Sequence, residues 1–298
     1  MSAFLLILAC LLLGAVVARL ARPPARLSQL LNAWVINLAL PALVLELVPR
    51  LSLDPQLWLL VVSQWGVFLG AFVLFRSAGR ALGWSDARIG ALTLVCGLGN
   101  TSFMGYPMIE ALRGREALAL AVVADQAGCF LMLATGGVIV ASLHGGAPVR
   151  PADLARRVLL FPPFAAMCVG AVAGAAGGWP PLAEQALHAV GLTLTPVALF
   201  AVGLRAQLRL ARDQFAAAGI GLSWKLLLAP LAVLALGHGA GVTGLTLTVS
   251  VLQAGVAPMI SAAILADQHR LEPALANAVL GAGILLSLLT VPLWNAVL

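Results

Sequence analysis

The chain has 298 residues, of which 62% are hydrophobic and only 9% are charged, and its mean hydropathy is +1.04. Soluble domains are typically about 45–50% apolar and about 25% charged, so this composition excludes a water-soluble domain and indicates an integral membrane protein. The 17 basic residues against 11 acidic ones do not predict a nucleic-acid partner, because the bases are scattered singly between apolar runs.

Apolar runs bounded by charges, Pro or Gly predict an all-α chain with ten transmembrane helices in one polytopic domain, residues 1–298. The predicted spans are residues 3–18, 29–49, 56–79, 87–112, 117–143, 156–178, 183–204, 214–236, 242–267 and 273–297. Arginines follow the first run and none precedes it, so we interpret this run as a span and not as a signal peptide.

The distribution of arginine predicts the orientation in the membrane. Loops after the odd-numbered spans carry 13 arginines, the opposite loops carry Arg50, Arg113 and Arg115, and the remaining base is Lys225 inside span eight. Basic loops face the cytoplasm. We therefore predict a multi-pass protein of the cell (inner) membrane with both termini on the non-cytoplasmic side.

The glycine pairs in two of the spans are interpreted as architectural. Two glycine pairs have the spacing typical of closely packed helices: Gly66 with Gly70, and Gly170 with Gly174. Three carboxylates near span ends are expected to be solvated: Glu46, Asp267 and Glu272.

Cysteine and histidine spacings match no metal-ligand pattern, so we predict no metal site and no resident cofactor.

Spans four and nine share a Gly shortly before a Pro-Met-Ile triplet. Residues 100–109 read Asn-Thr-Ser-Phe-Met-Gly-Tyr-Pro-Met-Ile, and residues 253–260 read Gln-Ala-Gly-Val-Ala-Pro-Met-Ile. The triplets are 151 residues apart, about half the chain, because they begin at Pro107 and Pro258. Each half has five spans, and because this number is odd, the second half enters the membrane from the opposite side. Residues 1–149 and 150–298 are therefore predicted to be inverted repeats, as in many secondary transporters.

Pro107 and Pro258 are predicted to break spans four and nine, because Pro lacks a backbone donor and disfavours helix in the residue before it. Unwound backbone at membrane depth must face protein or water, so the breaks should line a cavity. The helices that restart there would direct their positive ends at an anion. The candidate substrate-binding residues are Asn100, Thr101, Ser102, Tyr106, Pro107, Gln126, Gln253 and Pro258.

Span five carries a lone acid, Asp125, beside Gln126. An Asp at the centre of a membrane helix costs about 2.5–3.5 kcal/mol, so an intramembrane acid predicts function. We predict that Asp125 is the ion-coupling residue and binds H⁺ or Na⁺. Two structural alternatives stay open: Asp125 pairs with Lys225, or it caps a broken helix.

Signatures of enzymes are missing from the sequence, which has no His-Glu-x-x-His, no Gly-x-Ser-x-Gly and no Walker loop. We therefore predict that the chain is not an enzyme. Without an ATP site, transport would depend on ion gradients.

Residues 99–107 resemble the Asn-Thr-x-x-Met-Gly-x-Pro signature of the auxin efflux carrier family, which includes plant PIN-FORMED exporters and bacterial carriers of small dicarboxylates. Residues 37–41, 199–204 and 253–258 look similar too, so the resemblance covers essentially the whole chain. It implies an inverted repeat of the bile-acid sodium symporter kind, in which spans four and nine cross. Spans one, two, six and seven would form a scaffold, and spans three to five and eight to ten a transport domain that moves as an elevator.

The resemblance also implies carboxylate binding at Asn100, Thr101, Gln126 and the two prolines, and a homodimer formed through the scaffold. The sequence departs from the plant carriers in span three, where Gln64 is the only strongly polar side chain in the middle, so auxin itself is not implied. We predict a secondary active transporter of small organic anions, such as dicarboxylates or auxin-like acids, with the lipid bilayer as its surroundings. The alternative is a channel or a non-transporting receptor on the same scaffold.

Overall fold

The computed structural model describes residues 3–21, 23–52, 54–146, 150–205 and 211–298, and these residues form helices and no strand. The helices, in chain order, are α1 (Ala3–Leu20), α2 (Ala25–Trp34), α3 (Leu40–Leu47), α4 (Trp58–Ala81), α5 (Asp86–Gly97), α6 (Tyr106–Arg113), α7 (Ala117–Val123), α8 (Val138–Gly145), α9 (Pro151–Leu159), α10 (Pro162–Ala175), α11 (Pro181–Gly191), α12 (Leu194–Arg205), α13 (Phe215–Ser223), α14 (Ala229–Gly239), α15 (Gly244–Ala254), α16 (Ile260–Gln268) and α17 (Pro273–Val297). Wide π-type turns join α2 to α3, α7 to α8 and α13 to α14.

Within the described residues, six continuous helical stretches are long and apolar enough to cross a membrane. They are Arg26–Arg50, Pro55–Ala81, Ala117–Gly145, Pro181–Leu204, Arg212–Gly239 and Pro273–Val297. The pair α9 and α10, bent by 63°, would be a seventh. This confirms the all-helical membrane class, whereas the count of ten spans stays a prediction, because the remaining predicted spans are short or divided.

The first division lies at Leu98–Asn100, before the position that the sequence predicted. α5 ends at Gly97, Asn100 has the non-helical angles φ −79° and ψ 59°, and a wide turn over Thr101–Gly105 leads directly into α6. The prediction that Pro107 breaks this span is therefore wrong. The wide turn explains why, since it relieves the crowding that a Pro ring causes one turn earlier in a regular helix.

The second division agrees with the prediction for Pro258. α15 ends at Ala254, α16 begins at Ile260, and Pro258 lies in the unwound stretch between them. Pro therefore has different roles in the two halves of the chain. It sits inside a helix in the first half and outside one in the second.

The two unwound stretches lie side by side and pair with each other. Gly99 and Pro258 form an antiparallel bridge. On either side of it, the Asn100 N–H donates to the Ala257 carbonyl at 2.8 Å, and the Met259 N–H donates to the Leu98 carbonyl at 3.1 Å. These bonds satisfy backbone groups that would otherwise be unpaired in a medium without water.

Helix α1 packs directly against α12 through two glycines. A Cβ atom on Gly14 would overlap the Phe200 carbonyl oxygen, and one on Gly203 would overlap the Leu11 carbonyl oxygen. Close backbone approach of this kind is a common way for membrane helices to associate. The sequence analysis did not single out this pair.

Three of the four glycines that the sequence assigned to close helix packing do lie in close contacts. Gly70 lies against Trp224, Gly170 against Val48 and Gly174 against Pro49. Gly66 does not, since a Cβ atom there would meet no heavy atom within 4 Å. Its assignment to helix packing is wrong.

We expect Gly203→Ala to destabilise the protein, because the added methyl group overlaps backbone that cannot rotate away. Overpacking costs about 1–3 kcal/mol, partly offset by the higher helix propensity of Ala, so Tm in detergent should fall by roughly several degrees. Gly66→Ala is the matched control and should leave Tm unchanged or raise it. Equal Tm values for the two variants would contradict the assignment.

Candidate functional site

The carboxylate of Asp125 is buried and fully engaged by hydrogen-bond donors. Its Oδ1 accepts from the hydroxyls of Thr101 and, at 3.4 Å, Ser102. Its Oδ2 accepts from the Tyr106 hydroxyl at 2.8 Å and from Gln126 Nε2 at 2.7 Å. Asp125 is 2% exposed, and a carboxylate accepts about four hydrogen bonds, so this side chain is satisfied within the membrane-spanning region.

The Asp125 carboxylate and several of its hydrogen-bond donors lie on wide π-type helical turns. Asp125 and Gln126 lie on the turn Ala124–Phe130, and Thr101 and Ser102 begin the turn that follows the first division. Wide turns inside helices are frequent at functional sites. Asp125 lies within its own continuous helical stretch, and its carboxylate contacts the side chains of Thr101 and Ser102, the first residues of the helical stretch that restarts in span four, where the helix dipole favours negative charge.

A cavity of about 120 Å³ opens beside Asp125. Its polar lining consists of Asn32, Asn100, Ser102, Asp125, Gln126 and Ser261. The rest of the wall is apolar and includes Phe130 and Phe161. Apolar cavities with a few convergent polar groups are typical small-molecule sites.

Three of the residues that line this cavity each carry a buried polar atom with no hydrogen-bond partner in the protein. The atoms are Asn32 Oδ1, Asn100 Nδ2 and Gln126 Oε1. An unpaired buried polar atom costs about 1–3 kcal/mol, and the great majority of such atoms in proteins are paired. Their convergence on one cavity indicates a site that a polar ligand or water completes.

The first turn of α16 borders the same cavity through Ile260 and Ser261. Backbone N–H groups in the first turn of a helix have no partner earlier in that helix, and the dipole makes this end positive. Together with Asn100 Nδ2, they form a donor group suited to a negatively charged oxygen.

A second cavity, of about 270 Å³, continues from the first one. The two share Phe130, Phe161 and Ser261, and the second extends to Arg157 and Gln268. The rings of Phe130 and Phe161 stack with their centroids 3.9 Å apart. The stacked pair therefore borders both the inner cavity and the route that leads from it to Arg157.

The other predicted site residues are not among the cavity-lining residues. Thr101 and Tyr106 hold the Asp125 carboxylate instead. Gln253 donates to the carbonyl oxygens of Thr101 at 3.3 Å and Ala121 at 3.5 Å, which ties the two divided spans together. Pro107 is buried in α6, and Pro258 lies at the bridge with Gly99.

Lys225 does not pair with Asp125. Its Nζ donates to the Ala254 carbonyl at 2.8 Å, and the ion pairs found among the described residues do not include it. An ammonium group beside the last carbonyl of α15 interacts favourably with that end of the helix dipole. The alternative of a direct pair between Lys225 and Asp125 is wrong, whereas the capping alternative for Asp125 stays open.

Sequence reasoning missed Asn32, Ser261 and the Phe130 and Phe161 pair. Asn32 is one of several polar residues at the start of span two, and only its unpaired atom in the cavity distinguishes it. Aromatic residues are ordinary in apolar spans, so no sequence signal marks the stacked pair. Ser261 comes shortly after Pro258, which is a position that the helix-restart argument could have identified.

Comparison with known proteins agrees with this picture. A family model described as "Membrane transport protein" matches residues 2–295. An "Uncharacterized transporter" of Methanothermobacter thermautotrophicus is 27% identical over 275 residues, which cover 91% of this chain and 89% of the relative. A Rhizobium meliloti protein named "Putative malonate transporter" is 28% identical over 290 residues, which cover 94% of this chain and 89% of the relative.

These relatives are named as transporters, which confirms that the chain is a multi-pass membrane transporter and not an enzyme. The match extends over nearly the whole chain and agrees with the resemblance carried by residues 99–107. The chain therefore belongs to the membrane transport protein family, which is the auxin efflux carrier family.

Proposed function

We propose that this protein is a secondary active transporter of small organic anions, most suitably dicarboxylates, which it moves together with H⁺. The observation that carries the proposal is the cavity beside Asp125, where buried polar atoms of Asn32, Asn100 and Gln126 lack partners. The relative from Rhizobium meliloti supports a dicarboxylate, since its printed name is that of a malonate transporter.

The proposed substrate site uses two sets of donors for the anion. One carboxylate of the substrate accepts from Asn100 Nδ2 and from the first-turn amides of α16, near Ser261. Gln126 Oε1 and Asn32 Oδ1 are acceptors, so they suit hydroxyl groups, bridging water or a protonated carboxyl group. In this proposal the other candidates stabilise the geometry of the site; they are Thr101, Ser102, Tyr106 and Gln253. The backbone direction next to the site is determined by Pro107 and Pro258.

The proposed coupling step is protonation of Asp125. An ionised Asp125 repels a substrate anion in the adjacent cavity, because two like charges at close range in a medium of low dielectric interact strongly. A proton on Asp125 removes that repulsion, so proton and anion enter together. We favour H⁺ over Na⁺ because the three hydroxyls can turn to accept from a protonated Asp125, whereas a Na⁺ ion would have to displace the Gln126 Nε2 donor from the carboxylate.

The proposed architecture has ten spans, with α5 and α6 together as the fourth and α15 and α16 together as the ninth. Residues 1–149 and 150–298 are then two inverted repeats. Contacts between helices support a division into two groups of spans. In the first group, α1 packs on α12, and α3 packs on α10 and α11. In the second group, α4 packs on α5 and α15, and α16 packs on α5 and α17.

In this proposal the first group, spans one, two, six and seven, is the scaffold. The second group carries the site and moves past it as an elevator in the cell membrane, with both termini outside. A homodimer formed through the scaffold stays a prediction of the family resemblance.

Uptake by proteoliposomes tests the proposal. The purified protein should accumulate labelled malonate or malate when the outside is acidified, and an excess of unlabelled dicarboxylate should compete with the uptake. Uptake of labelled indole-acetate is measured in parallel to compare a monocarboxylate with the dicarboxylates. Uptake under an imposed Na⁺ gradient is the control for the coupling ion. No flux of any carboxylate would overturn the proposal, and conductance beyond carrier turnover would favour the channel alternative.

A further inference from the structure

Glu46 is 1% exposed, although the sequence predicted a solvated residue. Its Oε2 accepts from Arg115 Nη2 at 2.6 Å, and its Oε1 lies 2.9 Å from His188 Nδ1. Arg115 also donates to Glu110 at 3.2 Å, and Glu110 accepts from Thr195 at 3.4 Å. We call these five residues the Arg115 cluster. The transport site described above uses none of them.

The Arg115 cluster connects the two proposed groups of helices. Arg115 lies in the turn between α6 and α7, and Glu110 lies on α6, so both belong to the moving group. Glu46 on α3, His188 on α11 and Thr195 on α12 belong to the scaffold. Each contact between the two sets must therefore break if the groups slide past each other.

The other two arginines on this side of the protein make contacts within one group. Arg50 pairs with Glu184 of α11 at 2.5 Å, and both lie in the scaffold. Arg113 donates to Asn295 of α17 at 2.5 Å, and both lie in the moving group. Arg115 is thus distinguished from its neighbours by joining the groups.

The opposite side of the protein has a different arrangement. The ion pairs of Arg88 with Asp213 and Glu272, each at 3.1 Å, stay within the moving group. The route from the inner cavity leads towards this side, to Arg157 and Gln268. A further cavity of about 280 Å³ is lined there by Leu204 near the end of α12 and by residues of α16 and α17. Among the described residues, cavities lie between the groups on the Arg157 side, where Phe130 stacks on Phe161, whereas an ion pair joins the groups on the Arg115 side.

We propose that the Arg115 cluster is a latch that closes the outer side of the transport pathway in the inward-facing conformation. The latch rests on the proposed function, because it presumes that the two groups of helices move. In this conformation Arg115→Gln leaves the buried Glu46 carboxylate with His188 as its remaining partner, and Glu46→Gln leaves Arg115 with Glu110 as its remaining acidic partner, so either change weakens the contact between the groups. The equilibrium then shifts to the conformation in which the groups separate on the outer side.

The test measures access to the site from each side of the membrane. Ser261→Cys provides a thiol that lines both cavities. A membrane-impermeant maleimide is added to intact cells or to inverted vesicles, and the labelling of the chain with native Ser261 is subtracted. With the latch intact, the label should react from the cytoplasmic side. Arg115→Gln and Glu46→Gln should each raise outer labelling about tenfold and lower cytoplasmic labelling, as a population shift requires.

Arg50→Gln is the matched control, because it removes an ion pair on the same side that does not join the groups. It should leave labelling from both sides unchanged. The latch is overturned if neither cluster variant raises outer labelling, if Arg50→Gln raises it equally, or if both cluster variants fail to fold while Arg50→Gln folds. Labelling needs no substrate, so a shift of access without uptake of any carboxylate retains the latch and rejects the proposed substrate class.

Discussion

Asp125→Asn should abolish the dependence of anion transport on a pH gradient and leave the protein folded. Asn keeps the shape of Asp, and the hydroxyls of Thr101, Ser102 and Tyr106 can accept as well as donate, so the hydrogen-bond network can be rearranged. The variant cannot take up a proton at this position. One coupled proton contributes about 1.4 kcal/mol for each unit of pH difference, which is about tenfold in accumulation, and this contribution should vanish.

The measurement is the ratio of internal to external substrate in proteoliposomes at a series of imposed pH differences. Exchange of substrate without a gradient should persist in Asp125→Asn. Tyr106→Phe is the matched variant, because it removes one donor to the carboxylate and keeps the titratable group, so its accumulation should still follow the gradient. Undiminished gradient-driven accumulation by a well-folded Asp125→Asn protein would refute the coupling role and leave the helix-capping role.

Asn100→Ala should produce the second large effect, a fall in kcat/KM for dicarboxylate of roughly tenfold or more. The amide Nδ2 of Asn100 has no partner in the protein, and Asn100 is one of the residues that line the cavity. A hydrogen bond to a charged group contributes about 1.5–3 kcal/mol, which corresponds to this range. Since Asn100 already has a non-helical backbone and its own N–H bond to Ala257, Ala can replace it without moving the bridge.

Asn37→Ala is the control for this experiment. Asn37 is also an amide in an apolar span, but it is exposed and donates to the Ala33 carbonyl of its own helix at 2.8 Å. Initial rates of labelled uptake over a range of substrate concentrations separate the two variants. Equal kinetics for Asn100→Ala and Asn37→Ala would show that the unpaired amide has no part in binding substrate.

The parts of the site that could be predicted from sequence are those where a residue is out of place in a membrane. Asp125 is conspicuous because charge is rare in this chain, and its position beside Gln126 reveals the centre of the site. Pro258 locates the second division of the helix because Pro has a strong local effect. The same reasoning placed the first division wrongly at Pro107, since a wide turn can accommodate Pro. The actual division is marked in the sequence only by the low helix propensity of residues 97–100, which is a weaker signal.

The parts that could not be predicted depend on partners that are distant in sequence. Glu46 looks like any acid at the end of a span until Arg115 and His188 are brought to it. Gly14 and Gly203 matter only because their helices meet. A glycine at the surface, such as Gly66, looks the same in the sequence as one at a contact. Apolar runs have no contrast between faces in a membrane protein, so the sequence does not show which faces are joined.

The bridge between Gly99 and Pro258 also constrains how the chain can be made. A nascent membrane protein enters the bilayer from its N-terminus, so Leu98 and Asn100 are inserted long before Ala257 and Met259 are synthesised. During that interval the Leu98 carbonyl and the Asn100 N–H lack the partners that they have in the finished protein. The first half of the chain must therefore keep this stretch hydrated, or shielded by the insertion machinery, until the second half arrives. The pairing between the two halves can therefore form only after residues 257–259 have been synthesised.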